Sequence, residues 1–236
     1  MDELYYKREH RVLMRDCDRF KRLKPSAMLT MFQDGSETLT EGWGVGLGAM
    51  MARGAIWVAA KMEYAVTRLP RHEEDIVIRS WAGRCRAGIY PFQNRIEDAA
   101  GNELVRGVSL WVLSDMEARS MISGNVPRIT LPTPEPEGTH LPRIPAIHPP
   151  EACEHSPRRV MFSETDINGH LTNTRYLDWM TDLVSPDFHR AHPMRGLRVE
   201  YRGEIGPEEE VVLDWAASDE RLYCGCKGRF AAELLF

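Results

Sequence analysis

The 236-residue sequence predicts an α+β fold in which one unit, an antiparallel sheet packed on a long helix, occurs twice. Three observations predict it. Two stretches of the chain match each other at a constant offset, each match carries an amphipathic helical stripe, and strand-forming segments follow with no helix between them.

The repeat pairs Val12–Asp34 with Val160–Asp182 at an offset of 148 residues. Asp18 falls on Asp166, Met28 on Tyr176, Met31 on Trp179, Phe32 on Met180 and Asp34 on Asp182. Further on, Met62-Glu63-Tyr64, Pro70 and Ile76-Val77-Ile78 echo Val199-Glu200-Tyr201, Pro207 and Val211-Val212-Leu213 in the same order. Two collinear matches point to duplication of a whole structural unit.

Within each copy, apolar residues recur at three and four residues: Met28, Met31, Phe32, Gly35 in the first and Tyr176, Trp179, Met180, Leu183 in the second. That is the period of a helix with one buried face. In the second copy the helix is expected to begin at about Thr172 or Asn173, both good capping residues. Ile76–Trp81, Leu104–Leu113, Val211–Trp215 and Leu222–Phe230 are rich in Val, Ile, Leu, Tyr and Trp and read as strands. Ser123–Pro150 holds eight prolines and little periodicity, so it reads as a linker. The expected organisation is a first domain over 1–122, a linker over 123–150 and a second domain over 151–236.

Composition excludes several function classes. With 43% hydrophobic and 28% charged residues the chain is an ordinary globular one. Gly42–Ala52, its longest uncharged glycine-rich stretch, is too short to cross a bilayer, and the N-terminal residues lack the apolar core of a signal peptide. A cytoplasmic protein without membrane insertion is expected. A net charge of -5 offers no basic field for nucleic acid. The five cysteines suggest neither a disulfide framework nor a metal site, and no cofactor is implied. Cys224 and Cys226 alternate along a strand, with no further ligands evident.

Polar side chains concentrate in Phe162-Ser-Glu-Thr-Asp166-Ile-Asn168-Gly169-His170-Leu-Thr-Asn173-Thr-Arg175-Tyr176-Leu-Asp-Trp179, where a strand gives way to a helix. Gly169 permits a tight turn that lets Asn168 and His170 converge. A helix starting just beyond presents unpaired N–H groups suited to a developing oxyanion.

The pattern Asp-x-Asn-x-His-x-x-Asn-x-x-Tyr-x-x-Trp resembles the motif of the acyl-ACP thioesterases, the plant plastid enzymes and their bacterial relatives. The resemblance extends to Phe32-Gln33-Asp34, Trp57, Trp81 and Ser109–Asp115 in the first half. It implies a tandem hot-dog fold and hydrolysis of fatty acyl-acyl carrier protein to free fatty acid. The family places a glutamate and then a cysteine after a Glu-Tyr-Arg strand. Here Val199-Glu200-Tyr201-Arg202-Gly203-Glu204-Ile205 keeps the glutamate and puts isoleucine at the cysteine position, which rules out a thiol nucleophile there. The site implied by the resemblance is then Asp166, Asn168, His170 and Glu204. Glu204 is the candidate general base, Asn168 positions the thioester or water, His170 handles hydrogen bonding and proton transfer, and Asp166 orients the network or attacks directly.

The first copy lacks this set. Phe20 stands where Asn168 does, Arg22 where His170 does, and Thr67 and Arg68 lie near the glutamate position, so one active site per chain is expected. The first half offers apolar volume instead. Met28, Met31, Trp57 and Met62 are candidates to line an acyl pocket, with ordinary core packing as the alternative. Lys7–Lys24, with eight Lys or Arg against three acids, is a candidate docking patch for an acidic carrier protein, or simply a solvated face. Acyl-CoA is an alternative substrate. A hydratase or dehydratase, a non-catalytic acyl-binding module and a homodimer also stay open.

Overall fold

The computed structural model describes residues 4–122, 129–134 and 143–236. The first half contributes β1 (Tyr6–Arg11), α1 (Pro25–Gly42), a short α2 (Leu47–Met51), β2 (Ala55–Val66), β3 (Asp75–Ala82), β4 (Ile89–Asp98) and β5 (Glu103–Asp115). The second contributes β6 (Glu154–Arg159), α3 (Arg175–Thr181), α4 (Pro186–Ala191), β7 (Gly196–Tyr201), β8 (Glu210–Ala217), β9 (Arg221–Cys226) and β10 (Phe230–Leu235). All ten strands form one antiparallel sheet in the order β1-β3-β4-β5-β2-β7-β10-β9-β8-β6. The second five strands thus repeat the order of the first five in mirror sequence about the β2–β7 seam.

The seam has two-fold character. Lys61 faces Glu200, Met62 faces Val199 and Glu63 faces Arg198, so the two copies meet through corresponding residues. The symmetry is broken by pairing. Glu200 is buried and accepts from Lys61 Nζ at 2.8 Å and from Arg202 Nη2 at 2.6 Å, whereas Arg198 turns to Glu233 at 2.5 Å. Glu200 also accepts from the backbone of Ile147, whose carbonyl takes a further bond from Arg202. One carboxylate therefore joins the first half, the second half and the chain between them.

Behind the seam a continuous core draws on both halves, including Met28, Phe32 and Tyr64 with Tyr176, Leu197 and Phe230. α1 begins with Pro25, whose missing N–H costs nothing at a first turn. It lies close on the sheet because Gly35 carries no side chain: a Cβ there would come within 2.6 Å of Ser80 Oγ. The corresponding position in the second copy is Leu183.

Three sequence expectations need correction. The second helix is not long: α3 spans seven residues, and a separate α4 follows behind the Ser185 cap and Pro186. Nor does it begin at Thr172 or Asn173, because those residues form a turn ahead of Arg175. Leu222–Phe230 is not one strand but β9, a turn around Gly228 and the start of β10. As for the proline-rich stretch, 123–128 and 135–142 lie outside the described residues. Its described parts are packed: Ile144 is buried against Val108 and Leu110, and Ile147 against Tyr223 and Ala231. Tyr223 alternates with core-facing Leu222 and Cys224, so Ile147 sits on the sheet face opposite the helices. Among the described residues no helix is long and apolar enough to cross a membrane.

Burial acts to raise the Glu200 carboxyl, but the hydrogen bonds from Lys61 and Arg202 outweigh it and hold the group below its ordinary value of 4.5. A carboxyl depressed in the folded state adds stability above its unfolded value, and that stability is lost as pH falls through the folded value. Glu200→Gln should therefore cost about 1.5–3 kcal/mol near pH 7. The gap between variant and parent should close on acidification below pH 4.5, measured by urea unfolding across pH.

Candidate active site

The loop that carries the sequence motif is built the same way in both copies. Asp166 Oδ1 accepts the Asn168 N–H at 2.8 Å, as Asp18 Oδ1 accepts that of Phe20 at 2.8 Å. Asp166 N–H donates to the His170 carbonyl at 2.9 Å, and Asp18 N–H to that of Arg22 at 2.7 Å. The turn needs a left-handed residue in each case, Gly169 at φ 77° and Lys21 at φ 62°. Only the outward side chains differ. Arg22 pairs with Asp18 and donates to the His189 carbonyl, while His170 and Asn168 face a cavity.

Glu204 arrives from the segment after β7. The Leu171 N–H donates to the Ile205 carbonyl at 2.9 Å, so residues adjacent to His170 and Glu204 are tied backbone to backbone. His170 Nε2 consequently lies 3.2 Å from Glu204 Oε2. Ile205 itself is fully buried and packs in the core. Arg229 donates to the Glu204 carbonyl and its second nitrogen pairs with Glu209 at 2.8 Å, bracing the segment from the turn between β9 and β10.

A residue that sequence reasoning missed completes this cluster. Arg119, in the turn after β5, places Nη1 2.6 Å from Glu204 Oε2. No periodic pattern or motif marks it, since its partner is 85 positions away. The first half thus contributes a cation to a cluster whose Glu204 and His170 come from the second.

All four predicted residues, Asp166, Asn168, His170 and Glu204, line a single cavity of about 630 Å³. The first half supplies much of its wall, with Trp57, Val58, Ala59 and Ala60 of β2, Phe92 of β4 and Trp111 of β5, and α1 adds Gln33. A bulge between Ala59 and Lys61 interrupts the β2–β5 pairing beside it. Of the four residues proposed for an acyl pocket, Trp57 lines this cavity, its Nε1 donating to the Val45 carbonyl. Met28, Met31 and Met62 do not: they are buried in the central core, where burial and cavity lining look alike in sequence. Tyr176 and Tyr201 also face the cavity, and burial, foremost among the causes, raises both phenols well above their ordinary value, so both stay protonated.

Two expectations about polar groups are revised. The Thr172 N–H is not open to an oxyanion, because it donates to the Glu164 carbonyl at 2.9 Å. The basic stretch Lys7–Lys24 is partly neutralised, with Arg8, Arg11, Arg15 and Arg22 in ion pairs with acids. Among the described residues, no cluster of His, Cys, Asp or Glu is arranged to hold a metal.

Residues 3–125 match the profile of the acyl-ACP thioesterase N-terminal domain, and residues 147–231 that of the C-terminal domain. The chain belongs to the acyl-ACP thioesterase family. Among curated relatives, a chloroplastic acyl-[acyl-carrier-protein] hydrolase of Cuphea viscosissima is 27% identical over 183 residues, covering 72% of this chain and 43% of that protein. A chloroplastic palmitoyl-acyl carrier protein thioesterase of Cuphea hookeriana is 25% identical over 182 residues, with the same coverage. The chain spans less than half the length of these relatives. Among solved structures, an acyl-ACP thioesterase from Bacteroides thetaiotaomicron superposes with a TM-score of 0.86 at 15% identity, covering 100% of both chains. The 12:0-ACP thioesterase from Umbellularia californica does so with a TM-score of 0.80 at 16% identity, covering 98% of this chain and 96% of the other. This chain shares with them the tandem hot-dog fold that the sequence predicted.

A Cβ on Gly169 would meet nothing within 4 Å, so its cost is purely that of the left-handed backbone. Gly169→Ala should lower stability by about 1–2 kcal/mol in denaturant unfolding. Lys21→Gly should shift the other way by less, under about 1 kcal/mol, since glycine also loosens the unfolded chain.

Proposed function

We propose that this protein hydrolyses the thioester of fatty acyl-acyl carrier protein, releasing free fatty acid in fatty acid biosynthesis, and that Glu204 is its general base. What carries the proposal is the His170–Glu204 contact of 3.2 Å in the wall of a cavity otherwise rich in apolar side chains, in a chain of this family. The cavity has room for an acyl tail beside the polar cluster, as a hydrolase of a long apolar substrate requires. The named relatives act on acyl-ACP, and the same substrate class is assigned here.

In the proposed reaction Glu204 takes a proton from water as the oxygen bonds to the thioester carbon, and the carbonyl electrons move to its oxygen. The carbonyl then re-forms, the C–S bond breaks, and the departing sulfur receives a proton by way of His170. Asn168 positions the thioester or the water. Asp166 works through the loop: its Oδ1 holds the Asn168 N–H and so fixes where Asn168 and His170 point. The catalytic unit is assigned to the second domain, 151–236, with the first domain walling the pocket. A cytoplasmic location belongs to the same reading, supported by five cysteines that are all unpaired.

Purified protein incubated with acyl-ACP should release free fatty acid and carrier thiol, faster than with acyl-CoA; binding without release would sink the proposal. Glu204→Gln and His170→Ala should each lower turnover roughly a hundredfold to ten-thousandfold. Asp166→Asn keeps an acceptor for the Asn168 N–H, so it should retain about tenfold more activity than Asp166→Ala, the worth of one hydrogen bond. Equal and complete loss in both would instead make the carboxylate the nucleophile.

A further inference from the structure

We infer that Arg119 is a catalytic residue supplied by the first half of the chain, its guanidinium stabilising the oxyanion formed in the second half's site. The inference rests on the hydrolytic reading above and names a group that reading leaves unassigned. Addition of water to a thioester places a full negative charge on the former carbonyl oxygen, and donors aimed at that charge supply a large share of the rate.

Several donors in the cavity wall are already spent. The Thr172 N–H is bound to Glu164, Trp57 Nε1 to Val45, Trp111 Nε1 to Ser109 and the Tyr201 hydroxyl to Asn173. Arg202, the other cation in the wall, is held by both Glu200 and the Ile147 carbonyl. Arg119 is bound instead to the proposed base. Its guanidinium carries five N–H groups in a planar fork, and Nη1 meets Glu204 Oε2 at 2.6 Å.

Backbone geometry aims it there. Asp115 Oδ1 accepts from the N–H groups of Glu117 and Ala118 at 2.9 and 2.8 Å, and the Arg119 N–H returns to the Asp115 carbonyl at 3.0 Å. Arg119 closes this turn at φ 50°, a left-handed conformation that residues with a side chain rarely adopt. The tight turn delivers the side chain across the boundary between halves.

Charge bookkeeping favours the assignment. Before reaction, Arg119 and Glu204 balance each other. When Glu204 takes the water proton it becomes neutral and its hold on the guanidinium falls, at the moment that a negative oxygen appears one water and one carbonyl away. Reacting atoms stand about 3 Å apart in such an arrangement, so a guanidinium already touching the base needs only a small shift to reach the oxyanion. The pair is 63% and 40% exposed, which leaves Arg119 free to make that shift. The positive charge is thus handed from base to oxyanion without leaving the site.

Arg119→Ala should lower kcat on acyl-ACP by about a hundredfold to a thousandfold, the usual cost of removing one oxyanion donor, with KM little changed. Added guanidinium ion should restore part of the kcat of Arg119→Ala in a saturable way, and Arg119→Lys should fall between parent and alanine, keeping charge but losing the fork. Unchanged thermal unfolding would separate this from misfolding. Near-parent kcat, a change confined to KM, or a folded variant that guanidinium does not rescue would each overturn the inference. If the parent protein itself releases no fatty acid, the hydrolytic reading fails first, and the two failures are distinct.

Discussion

The fold turns on one buried carboxylate. Glu200 sits on the strand at the centre of a ten-stranded sheet, with its side chain only 5% exposed, and its two oxygens serve Lys61, Arg202 and the backbone of Ile147. Burying a charge is costly unless every partner is in place. Here the partners come from β2, from the chain that crosses between halves, and from the segment leading to Glu204. The seam, the crossing chain and the approach to the site are therefore fixed together. A loosened seam would move Arg119 relative to Glu204, because those two residues reach the cavity from opposite sides of it.

Against this fixed frame, the two copies separate backbone from chemistry. The Asp-capped turn survives in both, down to the left-handed residue and the hydrogen bonds flanking it. What changed is what projects from it. Phe20 and Arg22 are bound into local contacts, Arg22 with Asp18 and over the Phe20 ring, while Asn168 and His170 open onto a cavity. Asp166 and Asp18 do the same structural work, which explains why this one polar residue of the motif is present in both halves.

How much of this was legible follows the range of the interactions involved. The duplication, α1 and most strands show in the sequence because they rest on local periodicity and repeated order. So does the clustering of Asp166, Asn168 and His170, since one five-residue loop gathers them. The break between α3 and α4 was signalled by Ser185-Pro186, and the β9–β10 turn by Lys227-Gly228, but both were masked by neighbouring apolar residues. Arg119 was not legible: it meets Glu204 only because the sheet brings β5 beside the seam. Nor were Met28, Met31 and Met62, since an apolar residue facing the core and one facing a cavity have the same sequence signature.

The seam also bears on how asymmetry arises. Lys61 opposite Glu200 corresponds under the repeat to Arg198 opposite Glu63, the arrangement expected where two identical subunits meet. In such a dimer every substitution is made twice, so a cation that improves one pocket must also be tolerated in its mirror image. Covalent fusion removes that obligation. Here the two halves carry different side chains, Trp57, Phe92 and Trp111 walling the cavity from one half and Asn168 and His170 facing it from the other, while the seam between them keeps the pairing of equals.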